Sequence, residues 1–186
     1  MLAAGASRRF GSQKLLADLR GKPVIRWSVE HVLAADVDEV VVVVGSEGDA
    51  VRAALDGLDV RVITNDGWSE GIAGSLRTGI AALGAEIDAA MIVLGDEPCV
   101  ESAHIVALLA AYAASDREIA VPSYRGERTH PVIFARPVFS ELLALGGDRG
   151  AREVISRDPS RVLVVDFDAP PPRDIDTREE LRSLGA

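Results

Sequence analysis

Hydrophobic positions along the chain fall into two patterns, continuous apolar runs and amphipathic stretches, and the two alternate. Val40–Val44 is an uninterrupted β-branched run, which is typical of a strand buried on both faces of a sheet. Val60–Ile63 and Ala90–Leu94 predict further buried strands. The remaining strands are predicted at Ile119–Pro122, Val132–Ala135 and Val162–Asp166.

The amphipathic stretches between these runs predict helices. In Glu101–Ala114 the apolar residues recur at helical spacing and share one face. Other helices are predicted at Pro23–Ala35, Ser75–Leu83, Pro137–Leu145 and Thr177–Leu184. This alternation predicts an α/β fold with three layers, a mostly parallel Rossmann-like sheet covered by helices on both faces. Neither a repeat nor a linker divides the sequence, so we expect one domain over residues 1–186.

The first strand of such a fold is nearly missing from the sequence. Only Met1, Leu2 and Ala3 precede the loop that starts at Ala4, whereas central strands usually have about five or six residues. Two explanations are open: the strand is a stub, or the chain starts later than the natural gene product. We favour the second.

The distribution of charge suggests a small polyanionic ligand. The net charge of −9 and the pI near 4.8 argue against binding to duplex nucleic acid, and an aromatic content of 4% leaves few rings to stack on single strands. Positive charge is nevertheless concentrated in the first 26 residues, at Arg8, Arg9, Lys14, Arg20, Lys22 and Arg26. We therefore expect an anionic small molecule to bind near the N-terminus.

The sequence shows no sign of secretion or membrane insertion. Cys99 is the only cysteine, which excludes a disulfide framework and a thiolate zinc site. The longest purely apolar run, Val40–Val44, is far too short to span a bilayer, and no signal peptide precedes the first motif. We expect a cytoplasmic protein without nucleic-acid or membrane partners.

The loop from Leu2 to Lys14 has the composition of an anion-binding turn. Its small residues let a ligand approach the backbone, whose N–H groups can form an anion-binding concavity. Arg9 and Lys14 add two positive charges, and the spacing is not that of a Walker sequence. The alternative is a strand-to-helix turn with solvated basic side chains.

Two acidic positions are candidate metal ligands. Asp96 follows a predicted buried strand, and ligands of open α/β sheets bind at the carboxyl ends of strands. A carboxylate there suits Mg²⁺, although Asp96 could instead cap a helix or form a turn. Asp174 and Asp176 point the same way in an extended segment. Thr177 and Glu180 have the spacing of a capping box, which offers a structural explanation for Asp176 but not for Asp174.

At this point the sequence resembles a known family. Leu2-Ala3-Ala4-Gly5-x-Ser7-x-Arg9-Phe10-Gly11-x-x-Lys14 resembles the signature loop of the molybdenum cofactor nucleotidyltransferases, and within them the cytidylyltransferases. The resemblance covers nearly the whole chain. Its further matches are Asn65 with Gly71-Ile72-Ala73-Gly74-Ser75-Leu76, Gly95-Asp96-Glu97-Pro98, His130-Pro131-Val132-Ile133-Phe134, Gly147-Asp148-Arg149-Gly150-Ala151-Arg152 and Asp174-Ile175-Asp176-Thr177.

The resemblance implies an enzyme that transfers CMP, or as second choice GMP, from a nucleoside triphosphate to the phosphate of molybdopterin, with release of pyrophosphate. Mg²⁺ would be the cofactor, and a molybdoenzyme a transient partner. The implied catalytic residues are Arg9, Lys14 and Asp96. The implied nucleotide-binding residues are Leu2, Ala3, Ala4, Gly5, Ser7, Arg9, Lys14, Asn65, Gly71, Gly74, Ser75 and Leu76. The acceptor-binding residues are His130, Pro131, Asp148, Arg149, Gly150 and Arg152, and the metal ligands are Asp96 and Asp176 with Asp174 as helper.

The sequence also departs from this family. Ala4 stands where guanylyl-transferring relatives usually carry glycine, which favours cytidine, but Glu97 stands where the cytidylyl group more often has glutamine. Ile72-Ala73 replaces the common Met-Ser. Two other functions stay open: an NAD(P)H-dependent reductase of a heterocyclic pigment, as in nicotine blue reduction, and a non-catalytic chaperone that binds molybdenum cofactor.

Overall fold

Strands and helices alternate along the residues that the computed structural model describes, which are 1–5, 7, 9–45, 47–147 and 150–185. The strands are β1 (Leu2–Ala3), β2 (Asp18–Leu19), β3 (Lys22–Pro23), β4 (Val41–Val44), β5 (Arg61–Thr64), β6 (Ala89–Ile92), β7 (Ile119–Tyr124), β8 (Glu127–Arg128), β9 (Val132–Ala135) and β10 (Val162–Phe167). The helices are α1 (Val24–Leu33), α2 (Gly48–Ala54), α3 (Ile72–Ala81), α4 (Ser102–Ala113), α5 (Phe139–Leu143), α6 (Arg152–Arg157) and α7 (Arg178–Ser183).

The main sheet is mostly parallel and has the order β5-β4-β1-β6-β9-β7-β10. β1 joins its two parts, because Leu2 donates its N–H to the carbonyl of Val93 over 2.8 Å and accepts from the N–H of Gly95 over 2.9 Å. β9 runs antiparallel to both of its neighbours, and β2 and β3 form a separate antiparallel pair. The carboxyl ends of β1, β4, β5, β6, β7 and β10 therefore lie along one edge.

Helices cover both faces of this sheet, as predicted. On one face, apolar side chains of α1, α2 and α4 pack against Val42 and Val44 of β4. On the other, side chains of α3, α5 and α6 pack against β6, β7 and β9, with Phe134 fully buried among them. Each face of the sheet thus has its own hydrophobic core. The polar and charged residues of the cleft described below lie at the carboxyl edge of the sheet.

The elements agree with the sequence predictions where the apolar pattern is long, and one prediction is wrong. β5 is not buried on both faces, because Arg61 and Thr64 are exposed and, among the strands of the described residues, β4 alone flanks it. The apolar pattern of the sequence does not predict α2, in which Val51 is the buried residue, or α6, in which it is Val154. One buried position per helix leaves no periodicity to detect.

No helix in the described ranges is long and apolar enough to cross a bilayer. Asp148 and Arg149, which were assigned to the acceptor, lie outside the described residues, as does Arg8 of the basic N-terminal region.

Candidate active site

A cleft of about 520 Å³ opens at the carboxyl ends of β1 and β6. The loop after β1 forms one wall, and the turn before α3 forms the other. Nine of the predicted nucleotide-binding residues line it, namely Leu2, Ala3, Ala4, Gly5, Ser7, Arg9, Lys14, Gly71 and Ser75. The lining of the cleft changes from apolar and small residues near α3 to charged residues at Lys14.

The loop after β1 is held in shape by Ser7. The hydroxyl of Ser7 donates to Gln13 Oε1 over 2.9 Å and accepts from the N–H of Lys14 over 3.1 Å. The Ser7 carbonyl accepts from the N–H of Phe10 over 3.0 Å, and the buried Phe10 ring packs on Ile175. These contacts start a short 3₁₀ helix at Lys14–Leu16 and fix the position of the Lys14 side chain.

Lys14 lies between two carboxylates. Its Nζ is 2.5 Å from Asp96 Oδ2 and 2.8 Å from Asp176 Oδ1. Arg9 Nη2 contacts the other oxygen of Asp176 at 2.6 Å, and the Arg9 side chain is 75% exposed, so it can turn toward a ligand. The structure thus brings together Arg9, Lys14, Asp96 and Asp176. Asp96 is at least 80 residues along the chain from each of the other three.

Backbone contacts bring Asp96 and Asp176 to the same place. The carbonyl of Asp96 accepts from the N–H of Ile175 over 3.0 Å, and the Ile175 side chain is fully buried. The predicted capping box is present, and Glu180 Oε2 also accepts from the N–H of Asp176 over 2.9 Å. The Glu180 side chain therefore both caps the N-terminus of α7 and orients the Asp176 backbone.

The ion pairs shift the pKa values of the groups that form them. The hydrogen bond from Lys14, and then its charge and that of Arg9, hold the pKa of Asp176 below its ordinary value of 3.8, against a smaller opposing effect of burial. Burial alone would lower the pKa of Lys14, but Asp96 and Asp176 together outweigh it and raise that pKa. Both groups are therefore charged at neutral pH.

Because the folded state depresses the pKa of Asp176, this carboxylate contributes stability that is present above pH 3.8 and lost as the pH falls through its folded pKa. We therefore expect the difference in Tm between the wild type and Asp176→Asn to be constant near neutral pH and to narrow below about pH 4. Thermal melts followed by circular dichroism from pH 7 to pH 3 measure it. A difference that stays constant to pH 3 would contradict the ion pair.

The turn before α3 is built around Asn65. Asn65 Nδ2 donates to Ser75 Oγ over 3.1 Å, and Asn65 Oδ1 accepts from the N–H of Gly67 over 3.0 Å. Gly71 has φ of 110°, a conformation that L side chains rarely adopt, and α3 starts directly after it. Asn65, Gly74 and Leu76 do not line the cleft; they are buried and hold Ser75 and α3 in place.

The cleft is also lined by Trp68 and Ser69, which were not among the residues predicted from the sequence, and by Ile72, which was predicted only as part of the Gly71–Leu76 motif. Trp68 packs against Gly45, where an added Cβ would lie 2.7 Å from the Ala4 carbonyl and 3.0 Å from Trp68 Cγ. Ile72 is 41% exposed, which is unusual for isoleucine. An isolated tryptophan in a protein with 4% aromatic residues was the available signal.

The predicted acceptor residues are only partly assembled. His130 is half-buried beside Glu97, and Pro131 is buried. Gly150 lies close to Ile72, and the N–H of Ala73 donates to the Gly147 carbonyl over 3.3 Å, so this loop contacts the cleft wall. Arg152 is exposed at the start of α6. Asp174 is also exposed and does not line the cleft with Asp176.

The donor set fits a divalent cation that brings further ligands with it. Asp96 and Asp176 both reach one cationic atom, Lys14 Nζ, which stands where a cation between them would lie. Within the described residues there is no group of three or more His, Cys, Asp or Glu side chains that could hold a metal. Mg²⁺ typically uses one or two carboxylates and completes its shell with water and substrate phosphates, which matches this pair.

Curated relatives of this chain carry different activities. It is 29% identical over 199 residues to "Nicotine blue oxidoreductase" of Paenarthrobacter nicotinovorans, and the alignment covers 99% of this chain and 94% of that protein. It is 27% identical over 162 residues to "Probable molybdenum cofactor guanylyltransferase" of Thermococcus gammatolerans, covering 83% of this chain and 81% of that protein.

Solved structures share the fold over nearly the whole chain. Rv0371c from Mycobacterium tuberculosis superposes with a TM-score of 0.84 at 34% identity, covering 98% of this chain and 94% of that one. A second structure of Rv0371c, in complex with manganese, gives a TM-score of 0.81 at 31% identity with the same coverage.

Residues 1–162 match the family described as the MobA-like NTP transferase domain. The match contains the loop after β1, the turn before α3 and Asp96, which form the cleft, although Asp176 follows it. The chain therefore belongs to the MobA-like NTP transferase family and is a nucleotidyltransferase.

Proposed function

We propose that this protein transfers CMP, in preference to GMP, from the nucleoside triphosphate to the phosphate of a molybdopterin-type acceptor, with release of pyrophosphate. The observation that carries the proposal is Lys14 Nζ between the carboxylates of Asp96 and Asp176, at the end of a glycine-containing loop. Phosphate-binding cations and metal-binding carboxylates are thus in contact, as transfer of a nucleotidyl group requires.

The loop after β1 would hold the triphosphate. Apart from its chain neighbours, no atom of the described residues lies within 4 Å of a Cβ built on Gly5, so a phosphate can approach the backbone there. Arg9 and Lys14 would bind the phosphates and stabilise the negative charge that develops on the departing pyrophosphate. Both side chains would exchange their present carboxylate partners for phosphate oxygens when the nucleotide binds.

Asp96 and Asp176 would hold Mg²⁺. A metal ion bound there neutralises phosphate charge and acts as Lewis acid and template. The manganese complex of the similar protein Rv0371c supports a divalent cation in this fold. The two carboxylates come from different segments, so they also fix the C-terminal part of the chain against the site.

The acceptor needs no general base. A phosphate monoester is already largely ionised near neutral pH and can attack the α-phosphorus directly. Catalysis then consists of positioning the two ligands and stabilising charge, which is what the side chains of this cleft can do. The proposed molybdopterin-type acceptor is supported by the similarity to the Thermococcus protein named as a guanylyltransferase of molybdenum cofactor.

The preference for CTP is tested with a panel of CTP, GTP, ATP and UTP, Mg²⁺ and a molybdopterin acceptor, with release of pyrophosphate as the readout. Ala4 lines the cleft, and its backbone carbonyl lies beside Gly45, against which Trp68 packs. We expect Ala4→Gly to raise kcat/KM for GTP relative to CTP by about tenfold, the effect of one methyl group in a pocket. Ala113→Gly, exposed at the end of α4, is the matched control. An unchanged CTP-to-GTP ratio would contradict this role of Ala4.

The second candidate is an NAD(P)H-dependent reductase, which the similarity to nicotine blue oxidoreductase favours. Incubation with NADPH and a heterocyclic dye, followed by absorbance at the NADPH band, separates it from a transferase. Oxidation of NADPH without release of pyrophosphate from any nucleotide would refute the transfer reaction. The remaining possibility of a chaperone predicts cofactor binding that does not depend on Asp96 and no consumption of triphosphate.

A further inference from the structure

Glu97 is a buried carboxylate with an unsatisfied oxygen. It directly follows Asp96 and is 6% exposed. Its Oε1 lies 3.4 Å from His130 Nδ1, whereas its Oε2 is buried and accepts no hydrogen bond from the part of the chain that the structure describes. Burial of a carboxylate oxygen without a donor is costly, so a ligand that supplies donors would relieve the cost.

A second unsatisfied group lies nearby. The hydroxyl of Tyr124 is buried and also lacks a partner among the described residues. Burial, and then the charge of Glu97, raise the pKa of Tyr124 to about 12, so the phenol keeps its proton. The Tyr124 ring stacks on Phe167 with 5.1 Å between ring centroids, which fixes it. We call Glu97, Tyr124 and His130 the Glu97 cluster.

The Glu97 cluster lies on the other side of Asp96 from the loop after β1. β7 and β9 carry Tyr124 and the segment after His130, and both strands belong to the half of the sheet beyond β6, whereas the loop follows β1. A transferase must hold a second ligand next to the metal-binding carboxylates. The His130 side chain beside Glu97 is 26% exposed, so this part of the edge reaches solvent at His130.

We propose that Glu97 determines acceptor specificity, by accepting paired N–H donors from the edge of a nitrogen heterocycle, as the 2-amino-4-oxopyrimidine edge of a pterin provides. This inference rests on the proposed function. A carboxylate accepts at both oxygens, whereas the glutamine amide accepts at one and directs a donor at the other. Glutamine here would therefore favour a ligand with one donor and one acceptor.

The experiment measures binding of two fluorescent probes, 6-hydroxymethylpterin and 6-hydroxymethyllumazine, in which a carbonyl replaces the 2-amino group. We expect the wild type to prefer the pterin by about tenfold or more, because a carbonyl facing a carboxylate repels it. Glu97→Gln should weaken pterin binding by about tenfold and abolish the preference. Glu97→Asp, which keeps the charge, should retain a preference for the pterin at lower affinity.

Glu101→Gln is the matched control, because Glu101 is exposed and caps no backbone group with its side chain. Titration of each variant with Mg²⁺ and CTP is measured in parallel. A wild type that binds CTP but shows no pterin preference, or a Glu97→Gln variant that keeps it, would overturn the role of Glu97 alone. If the wild type bound no nucleotide in the presence of Mg²⁺, the proposed function itself would be overturned. A merely structural role for Glu97 would change Tm without changing the pterin-to-lumazine ratio.

Discussion

Asp96→Asn is expected to lower the rate of nucleotidyl transfer by on the order of 10³-fold, with the protein still folded. The substitution keeps the shape of the side chain and removes the charge that would hold Mg²⁺ against the phosphates. Asp176 keeps both Lys14 and Arg9 as partners, and Asp96 is partly exposed, so the loss of the Asp96–Lys14 pair should have a small effect on stability. Release of pyrophosphate at saturating CTP measures the rate, and a thermal melt measures folding.

Asp116→Asn serves as the matched control, since Asp116 is exposed beyond the end of α4 and does not line the cleft. It should have wild-type turnover. Normal Mg²⁺-dependent turnover by Asp96→Asn would refute the assignment of Asp96 to the metal. Comparison of Asp176→Asn with Asp174→Asn then tests the second ligand, and we expect the larger loss for Asp176, which lines the cleft.

Lys14→Met is expected to slow transfer by about 10²-fold or more, because the leaving pyrophosphate loses a stabilising cation. The same substitution should increase the affinity for Mn²⁺ in the absence of nucleotide. In the unliganded protein the Lys14 ammonium contacts both carboxylates and so competes with any metal ion that binds between them. Calorimetric titration with Mn²⁺ measures the affinity, and release of pyrophosphate measures the rate.

The two readouts move in opposite directions only if Lys14 has both roles. Lys22→Met is the control, since Lys22 pairs with Glu30 outside the cleft and should change neither quantity. Weaker Mn²⁺ binding by Lys14→Met would show that the ammonium does not compete with the metal. Unchanged turnover would show that it does not act on the triphosphate.

The layered fold followed from the sequence because its long elements carry strong periodicity. The run Val41–Val44 is buried along its whole length, and α4 lies within one residue of its predicted bounds at either end. Edge position is a property of the assembled sheet rather than of a segment, so the exposure of β5 could not be inferred from Val60–Ile63 alone. Short elements such as α2 gave no pattern.

Part of the candidate site could be predicted because its motif is local. The loop residues Arg9 and Lys14 are close in sequence, and Asp96 is marked by the strand before it. The contact of these residues with Asp176 depends on the docking of α7 through Ile175, which no local pattern encodes. The pairing of Lys14 with the carboxylates was also not foreseen, since the sequence suggested that cations and acids would face a ligand rather than one another.

The two-residue strand β1 is the narrowest join in the sheet, and the loop that lines the cleft follows it directly. Across this join the halves of the sheet are held by the pairing of β1 with β4 on one side and by the Leu2 bonds to Val93 and Gly95 on the other. A nucleotide that contacts both the loop after β1 and Asp96 after β6 would link the two halves of the sheet. Ligand binding should therefore stabilise both halves of the sheet, beyond the residues that the ligand touches.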